Sequence, residues 1–169
     1  MHLNLPLCVV WVLLYGCTST PARVASLYGG AGGFDLLHHH DRAEVFRITD
    51  RARLKPGTPV KGELHRWAIL EGPDPLAADA ARRLADVLSE DIYEWDSAKG
   101  CKIMPGLAAR FVRGDRRLEV VFCFECDILA VYLDGQAVGS EDFDRAHRRL
   151  AALAREWFPL DAEIQKLGQ

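Results

Sequence analysis

Three cysteines in the second half of the chain are the residues whose types and spacing could do chemistry. Cys123 and Cys126 stand in the stretch VVFCFECDILAVYL, residues 120–133, and Cys101 precedes them. Two thiols three positions apart can act as a redox dithiol, as two ligands of a zinc ion, or as part of a disulfide. Because three is an odd number, a single disulfide among these cysteines leaves one thiol over.

The surroundings of the pair favour a structural disulfide. A reactive dithiol usually lies at a helix N-terminus, whereas apolar strand residues flank this pair, and the charges of Glu125 and Asp127 disfavour a thiolate. A zinc site would take Cys101 as a third ligand and His65 or His147 as a fourth, but the Pro and Gly of a zinc knuckle are missing. We therefore expect Cys101 to bond one member of the pair while the other is a buried small hydrophobe. Zinc remains the alternative cofactor, and the sequence implies no other.

The elements that carry the pair must include a bend. An unbroken strand from Arg117 to Leu133 would be far longer than the usual ~3–10 residues. Side chains alternate along a strand, so Cys123 and Cys126 would then point to opposite faces. A bend near residues 124–127 could bring the two sulfurs together or direct both at Cys101.

Hydrophobic periodicity predicts an α+β domain, with a mostly antiparallel sheet of about five strands and two amphipathic helices packed on one face. One helix should begin at the N-cap Asp74 and end near Ser89, and the other should begin at Ser140 and end before Pro159. The predicted strands cover residues 44–48, 63–70, 107–112, 117–124 and 127–133, and the last three form a meander because their connections are short.

The N-terminus resembles an export signal. Residues 1–16 contain no charged side chain, are apolar from Leu5 to Leu14, and are followed by Cys17. The segment LYGC at 14–17 resembles the lipobox of bacterial lipoproteins. That resemblance implies cleavage before Cys17 and a palmitate-bearing membrane anchor in the cell envelope, on the outer membrane facing the periplasm. A plain secretory signal and a buried N-terminal helix are the alternatives.

The signal divides the chain into three parts. Residues 1–16 are the signal peptide, 17–42 are the lipidated cysteine and a small, Gly-rich flexible tether, and 43–169 are a single domain. The glycines of the tether do not match a dinucleotide-binding fingerprint, since no strand precedes them.

Composition excludes some partners. The chain of 169 residues has 21 basic and 24 acidic residues that are well mixed, so no basic face for nucleic acid is predicted. No apolar run approaches the ~20 residues of a membrane-spanning helix. The membrane is therefore expected as a partner only through the N-terminal lipid, and a protein or ligand partner is left open.

Aromatic residues give weaker candidates. His65 and Trp67 alternate to the same face of a strand and could line a pocket, although a half-buried His beside a core Trp is the simpler interpretation. Tyr93 and Trp95 stand among acidic residues, as in a carbohydrate-binding or hydrolytic site, although acidic residues in a connector are usually solvated. The run His38, His39 and His40 could bind a transition metal, but a solvated tract is favoured.

The segment from Cys101 to Gln169 resembles the C-terminal region of uncharacterised bacterial envelope or secreted proteins. The resemblance lies in CKIMPGLAARF, CFECD and WFPLDAEIQKL. It implies that Cys101, Cys123 and Cys126 act as a set, and it implies no activity. The sequence thus predicts a membrane-tethered envelope lipoprotein that is a non-enzymatic scaffold or binding module. The alternative is a thiol- or zinc-dependent enzyme centred on those three cysteines.

Overall fold

The computed structural model describes residues 22–97 and 99–169, and within these ranges the chain forms seven strands and four α-helices. Three 3₁₀ turns also occur, at Arg51–Arg53, Asp144–Ala146 and Ile164–Lys166. The helices are α1 (Ala22–Leu27), α2 (Ala31–Asp35), α3 (Ala78–Ser89) and α4 (His147–Trp157). The strands are β1 (Arg42–Thr49), β2 (Gly62–Leu64), β3 (Trp67–Pro75), β4 (Leu107–Arg113), β5 (Arg116–Cys123), β6 (Ile128–Leu133) and β7 (Gln136–Asp142).

All seven strands belong to one antiparallel sheet, in the order β2-β3-β1-β4-β5-β6-β7. The α+β class is confirmed, but the predicted count of five strands is wrong. The predicted strand at 63–70 is divided by a turn at His65, which has φ 55°, into β2 and β3. The strand β7 was missed because its sequence QAVGSED is mostly polar and little buried, so it lacks the apolar alternation of its neighbours.

The curled sheet is apolar on both faces. Alternate residues of β1, β4 and β5, such as Val45, Phe111 and Val120, belong to the main core. Buried residues of α1, α3 and α4, and Leu36 and Leu37 after α2, complete it. The intervening residues form a second, smaller core on the other face, which includes Phe46, Ile48, Trp67, Val121 and Ala130. A sheet with both faces buried explains why its central strands are nearly continuous apolar runs.

The segment from Ala22 onward packs against the domain, so the predicted flexible tether at 17–42 is wrong for residues 22–42. Val24, Tyr28 and Leu36 are fully buried in the main core. A Cβ on Gly139 of β7 would lie only 2.4 Å from the carbonyl oxygen of Leu27, so α1 lies directly on this strand. The small residues around these apolar positions made the segment resemble a flexible linker in sequence. Cys17 and the rest of the predicted signal lie outside the described residues.

Both amphipathic helices begin later than predicted. Asp74 does not cap α3, because β3 continues to Pro75 and pairs with β1 through Val45 opposite Asp74. Ser140 does not cap α4, because it lies in β7 opposite Ala130 of β6. In each case strand pairing outweighs a local capping preference. Among the described residues, no helix has the length and apolar character needed to cross a membrane.

Candidate functional site

A cavity of about 460 Å³ opens at the end of the sheet where β1 and β5 stop. Ligand sites in proteins typically measure ~300–1,000 Å³. Its walls come from residues 53–58 after β1, 104–106 before β4, 124–125 after β5 and 163–167 near the C-terminus. We call this cavity the cleft.

The cleft has an apolar lining that the surrounding elements hold in place. Phe124 stands on the turn after β5 and packs edge-on against Phe143, with ring centroids 5.4 Å apart. The backbone N–H of Met104 donates to Cys123 Sγ at 3.4 Å, which ties the wall before β4 to the end of β5. Seven apolar residues line the space: Leu54, Leu70, Met104, Pro105, Phe124, Ile164 and Leu167.

Arg47 joins the sheet to the C-terminal wall of the cleft. It lies at a β1 irregularity, and its side chain is 8% exposed. Its guanidinium donates to Asp161 Oδ2 at 2.7 Å, to Gly106 O at 2.9 Å, and to Glu163. Burial alone would raise the pKa of Asp161, but the hydrogen bonds from Arg47 and from backbone amides hold that pKa below its usual range. The charge of Arg47 is thus already compensated.

The remaining charges leave the cleft with a cationic surplus. Arg53 donates to Glu125 Oε2 at 2.8 Å, and this interaction lowers the pKa of Glu125. Lys55 and Lys166 also line the cleft and are exposed. Within residues 22–97 and 99–169, neither ammonium has a carboxylate oxygen within 4.0 Å. Arg47, Arg53, Lys55 and Lys166 meet three carboxylates here, those of Asp161, Glu163 and Glu125. The described part of the cleft therefore carries one net positive charge beside its apolar side chains.

A disulfide between Cys101 and Cys126 lies beside this end of the sheet, with Cα atoms 6.2 Å apart. Cys123 is a free thiol and is fully buried. The predicted bend is present, since β5 ends at Cys123, β6 begins at Ile128, and Asp127 between them has φ 54°. The predicted disulfide from Cys101 to one member of the pair is therefore present, and the other member is buried as expected.

The structure does not bring the zinc candidates together. Cys101 and Cys126 are bonded to each other, and each of the two histidines lies against a carboxylate. Among the described residues, the group of three potential ligands that comes within 4.8 Å contains neither cysteine nor histidine. It consists of Glu94, Asp142 and Asp144.

That acidic group is an ion-pair network. Lys99 Nζ lies 2.7 Å from both Asp142 Oδ2 and Asp144 Oδ1, and it donates to the backbone oxygen of Cys126 at 2.8 Å. Burial opposes the charge of Lys99, but the two aspartates raise its pKa overall. The ammonium thus occupies the place between these carboxylates and links the disulfide-bearing segment to the end of β7.

His147 connects the β5–β6 turn to α4. Its Nδ1 lies 2.5 Å from Asp127 Oδ1, and its ring packs edge-on against Phe124 at 5.7 Å. Burial raises the pKa of Asp127, although His147 acts in the opposite direction. This pair therefore supports the turn that carries Phe124 into the cleft.

His65 belongs to a charged network on the second face of the sheet. Its ring stacks on Tyr132 with centroids 3.7 Å apart, and its Nε2 lies 3.0 Å from Glu119 Oε2. These two buried atoms do not meet hydrogen-bond geometry with any partner in the described part of the chain. Trp67 is 2% exposed and packs edge-on against Tyr132. The predicted His65–Trp67 pair is thus a packed aromatic cluster, and neither residue lines the cleft.

Acidification should weaken the fold through His65. Burial lowers its pKa from 6.5, with Glu119 opposing and Arg117 and Arg110 assisting the shift. The unfolded state therefore binds a proton more readily, and stability present above pH 6.5 should fall as the pH decreases towards the folded-state pKa. Urea unfolding should show that the free energy of unfolding falls less between pH 7.5 and 5.5 in His65→Asn than in wild type. Asparagine is chosen because it tolerates the positive φ at this position. An equal loss in both proteins would contradict this assignment.

Tyr93 and Trp95 do not form a common binding surface. Tyr93 is 1% exposed, and its hydroxyl lies 2.5 Å from that of Tyr28 and donates to Leu88 O at 2.7 Å. Burial raises the pKa of both tyrosines. Trp95 lies under the guanidinium of Arg23, 4.6 Å from the ring centroid. It borders a separate cavity of about 240 Å³ that Tyr93 does not line.

The three consecutive histidines do not converge on one point. His38 Nε2 contacts Ser89 Oγ at 2.7 Å, His39 Nδ1 contacts Asp35 at 2.5 Å, and His40 Nδ1 contacts the backbone of Leu37 at 3.1 Å. These separate partners fix the segment between α2 and β1.

Sequence reasoning missed the cleft, because its residues come from five separated segments. Arg47, Lys55 and Lys166 carry no motif, and only tertiary structure brings them together. One available signal was Arg47 itself, a charged residue between the apolar residues Phe46 and Ile48 of β1. A charge in a buried strand needs a partner, so it marks a place where another segment must approach.

Comparisons with protein-family models, with curated proteins and with solved structures gave no match for this chain. The proposals that follow therefore depend on the residues and their geometry alone.

Proposed function

We propose that this protein is an envelope lipoprotein, anchored through an acylated Cys17, whose domain is a non-enzymatic binding module. The observation that carries the binding part of the proposal is the cleft, whose lining combines seven apolar side chains with eight polar or charged ones and lies beside a disulfide. Its walls hold fixed ion pairs and apolar side chains, which suit the binding of a ligand.

The disulfide supports the export part of the proposal. Disulfides form and persist in oxidising compartments such as the bacterial periplasm, and they are rare in the cytosol. Cys101 is exposed, so the bridge between it and Cys126 would be open to cytosolic reductants. An oxidising compartment agrees with the resemblance of residues 14–17 to a lipobox.

The cysteine geometry favours a binding module over a thiol- or zinc-dependent enzyme. Cys101 and Cys126 have no free thiol because they form a disulfide, and Cys123 is fully buried. A nucleophilic thiol needs exposure and a positively charged environment, and burial in apolar surroundings makes a thiol inert.

Cell fractionation tests the anchored part of the proposal. The full chain, expressed in a Gram-negative bacterium, should be found in the outer-membrane fraction with an acylated N-terminal peptide beginning at Cys17. The matched variant Cys17→Ser should lack the acyl mass and be absent from the outer-membrane fraction, because the sulfur that carries the acyl chain is missing. Wild-type protein in the soluble fraction without acyl mass would contradict the proposal.

A further inference from the structure

We infer that the cleft binds a free fatty acid, with the hydrocarbon chain against the apolar side chains of the lining and the carboxylate at Lys55 or Lys166. This inference rests on the proposal that the domain is a binding module, and it names the class of ligand. It depends on three properties of the cleft: its lining, its backbone groups and its charges.

The lining matches a hydrocarbon chain. Seven apolar side chains border the space, and Leu54, Leu70 and Met104 among them are only partly buried. An occupant that covers these side chains removes apolar surface from water, at about 25 cal/mol per Å². Met104 is unbranched and flexible, so it can adjust to a flexible chain.

Several backbone groups of the cleft already have hydrogen-bond partners, which favours a hydrocarbon over a peptide. Gly106 N donates to Phe122 O, while Gly106 O accepts from Ile48 N and from Arg47. The amides of Leu54, Ile164, Lys166 and Leu167 also have partners. A peptide buried there would lose hydrogen bonds to water without replacing them, and each loss costs about 1–3 kcal/mol. An alkyl chain carries no such groups.

The charges select an anion. The guanidinium groups of Arg47 and Arg53 are neutralised by carboxylates, whereas the ammonium groups of Lys55 and Lys166 are not. A carboxylate at either lysine would make charge-assisted hydrogen bonds, which are stronger than neutral ones.

The same charges argue for a free fatty acid and against an anionic membrane surface. Segments that recognise anionic lipid headgroups in a bilayer typically carry ~4–8 clustered Lys or Arg residues. The cleft offers two uncompensated lysines, and the chain as a whole has a net charge of -3.

Calorimetric titration with laurate tests the inference. The protein is the mature chain, residues 17–169, carrying Cys17→Ala, which needs no detergent because it has neither the signal peptide nor the acyl chains. We expect saturable binding of laurate below its micelle concentration. We expect no binding of acetate, which lacks the chain, or of dodecyltrimethylammonium, which has the opposite charge. Leu54→Asn, at a partly buried loop position, should also weaken binding.

Lysine variants locate the carboxylate. The double variant Lys55→Gln/Lys166→Gln should weaken laurate binding at least ~10-fold, as expected for the loss of charge-assisted hydrogen bonds. Lys61→Gln is the matched control, because Lys61 is exposed and does not line the cleft. Circular dichroism should show all variants folded.

Four outcomes would overturn the inference. These are no laurate binding, equal binding of the cationic amphiphile, unchanged affinity in the double lysine variant, and tighter binding of an acidic apolar peptide than of laurate. None of these outcomes affects the location of the wild-type protein or the acyl mass on Cys17, so a failed inference about the ligand is distinguishable from a failed proposal about the anchor.

Discussion

Replacing Cys101 with serine is expected to lower the free energy of unfolding by ~3 kcal/mol. The disulfide joins residues 25 positions apart, and a cross-link of this length restricts the unfolded chain. The bridge also ties the segment before Met104 and Pro105, which line the cleft, to the β5–β6 turn. Urea denaturation of the oxidised full chain, with Cys17→Ala in both proteins, measures the difference.

Cys123→Ala is the matched control, because it removes a buried sulfur without breaking a cross-link. Its cost should be smaller, about 1 kcal/mol, as for the loss of a small buried group. A reductant should destabilise wild type and Cys123→Ala but leave Cys101→Ser unchanged. Equal stability of Cys101→Ser and wild type would contradict a structural role for the bridge.

Truncating Glu119 to alanine is the second large effect, and it should destabilise the protein by ~3 kcal/mol. Glu119 is 1% exposed, and its Oε1 accepts from Arg110 Nε at 2.8 Å. Arg110 lies over the Phe46 ring and is only 22% exposed, so removal of its main partner leaves a poorly solvated charge with only the longer contact of 3.5 Å to Glu44. The contact between Glu119 and His65 would also be lost. Thermal and urea unfolding of Glu119→Ala measure this effect.

The double variant Arg110→Met/Glu119→Leu distinguishes two causes of instability in Glu119→Ala, a buried charge without its partner and a loss of packing. Replacing both members of a buried ion pair with apolar residues is often neutral, whereas removing one member is costly. We therefore expect the double variant to be more stable than Glu119→Ala. If the double variant is no more stable than Glu119→Ala, the loss of the main carboxylate partner of Arg110 does not cause the destabilisation of Glu119→Ala.

The sequence could predict the α+β class and the three-stranded meander because β4, β5 and β6 are apolar runs joined by short connections. It could not predict β7, whose residues are mostly polar and whose position depends on the neighbouring strand β6. The start of α3 was misplaced for a related reason. Asp74 and Pro75 have the residue types of a helix start, but their pairing with β1 determines their conformation.

The candidate site could be predicted only where the residues concerned lie close together in the sequence. The strand periodicity around Cys123 and Cys126 required a bend, and the odd number of cysteines predicted one free thiol. The cleft could not be predicted, since Arg47 and Asp161 are 114 positions apart and neither belongs to a motif. Distant charge partners leave no periodic signal in a single sequence.

Mass mapping of alkylated cysteines in the native protein, together with zinc analysis, is the most direct test of the central claim that the cysteines are structural. The account predicts that Cys101 and Cys126 are recovered as one disulfide-linked peptide pair. It also predicts that Cys123 is alkylated only after unfolding, and that no stoichiometric zinc is bound. Alkylation of Cys101 and Cys126 in folded protein without reductant, or one zinc per chain, would contradict it.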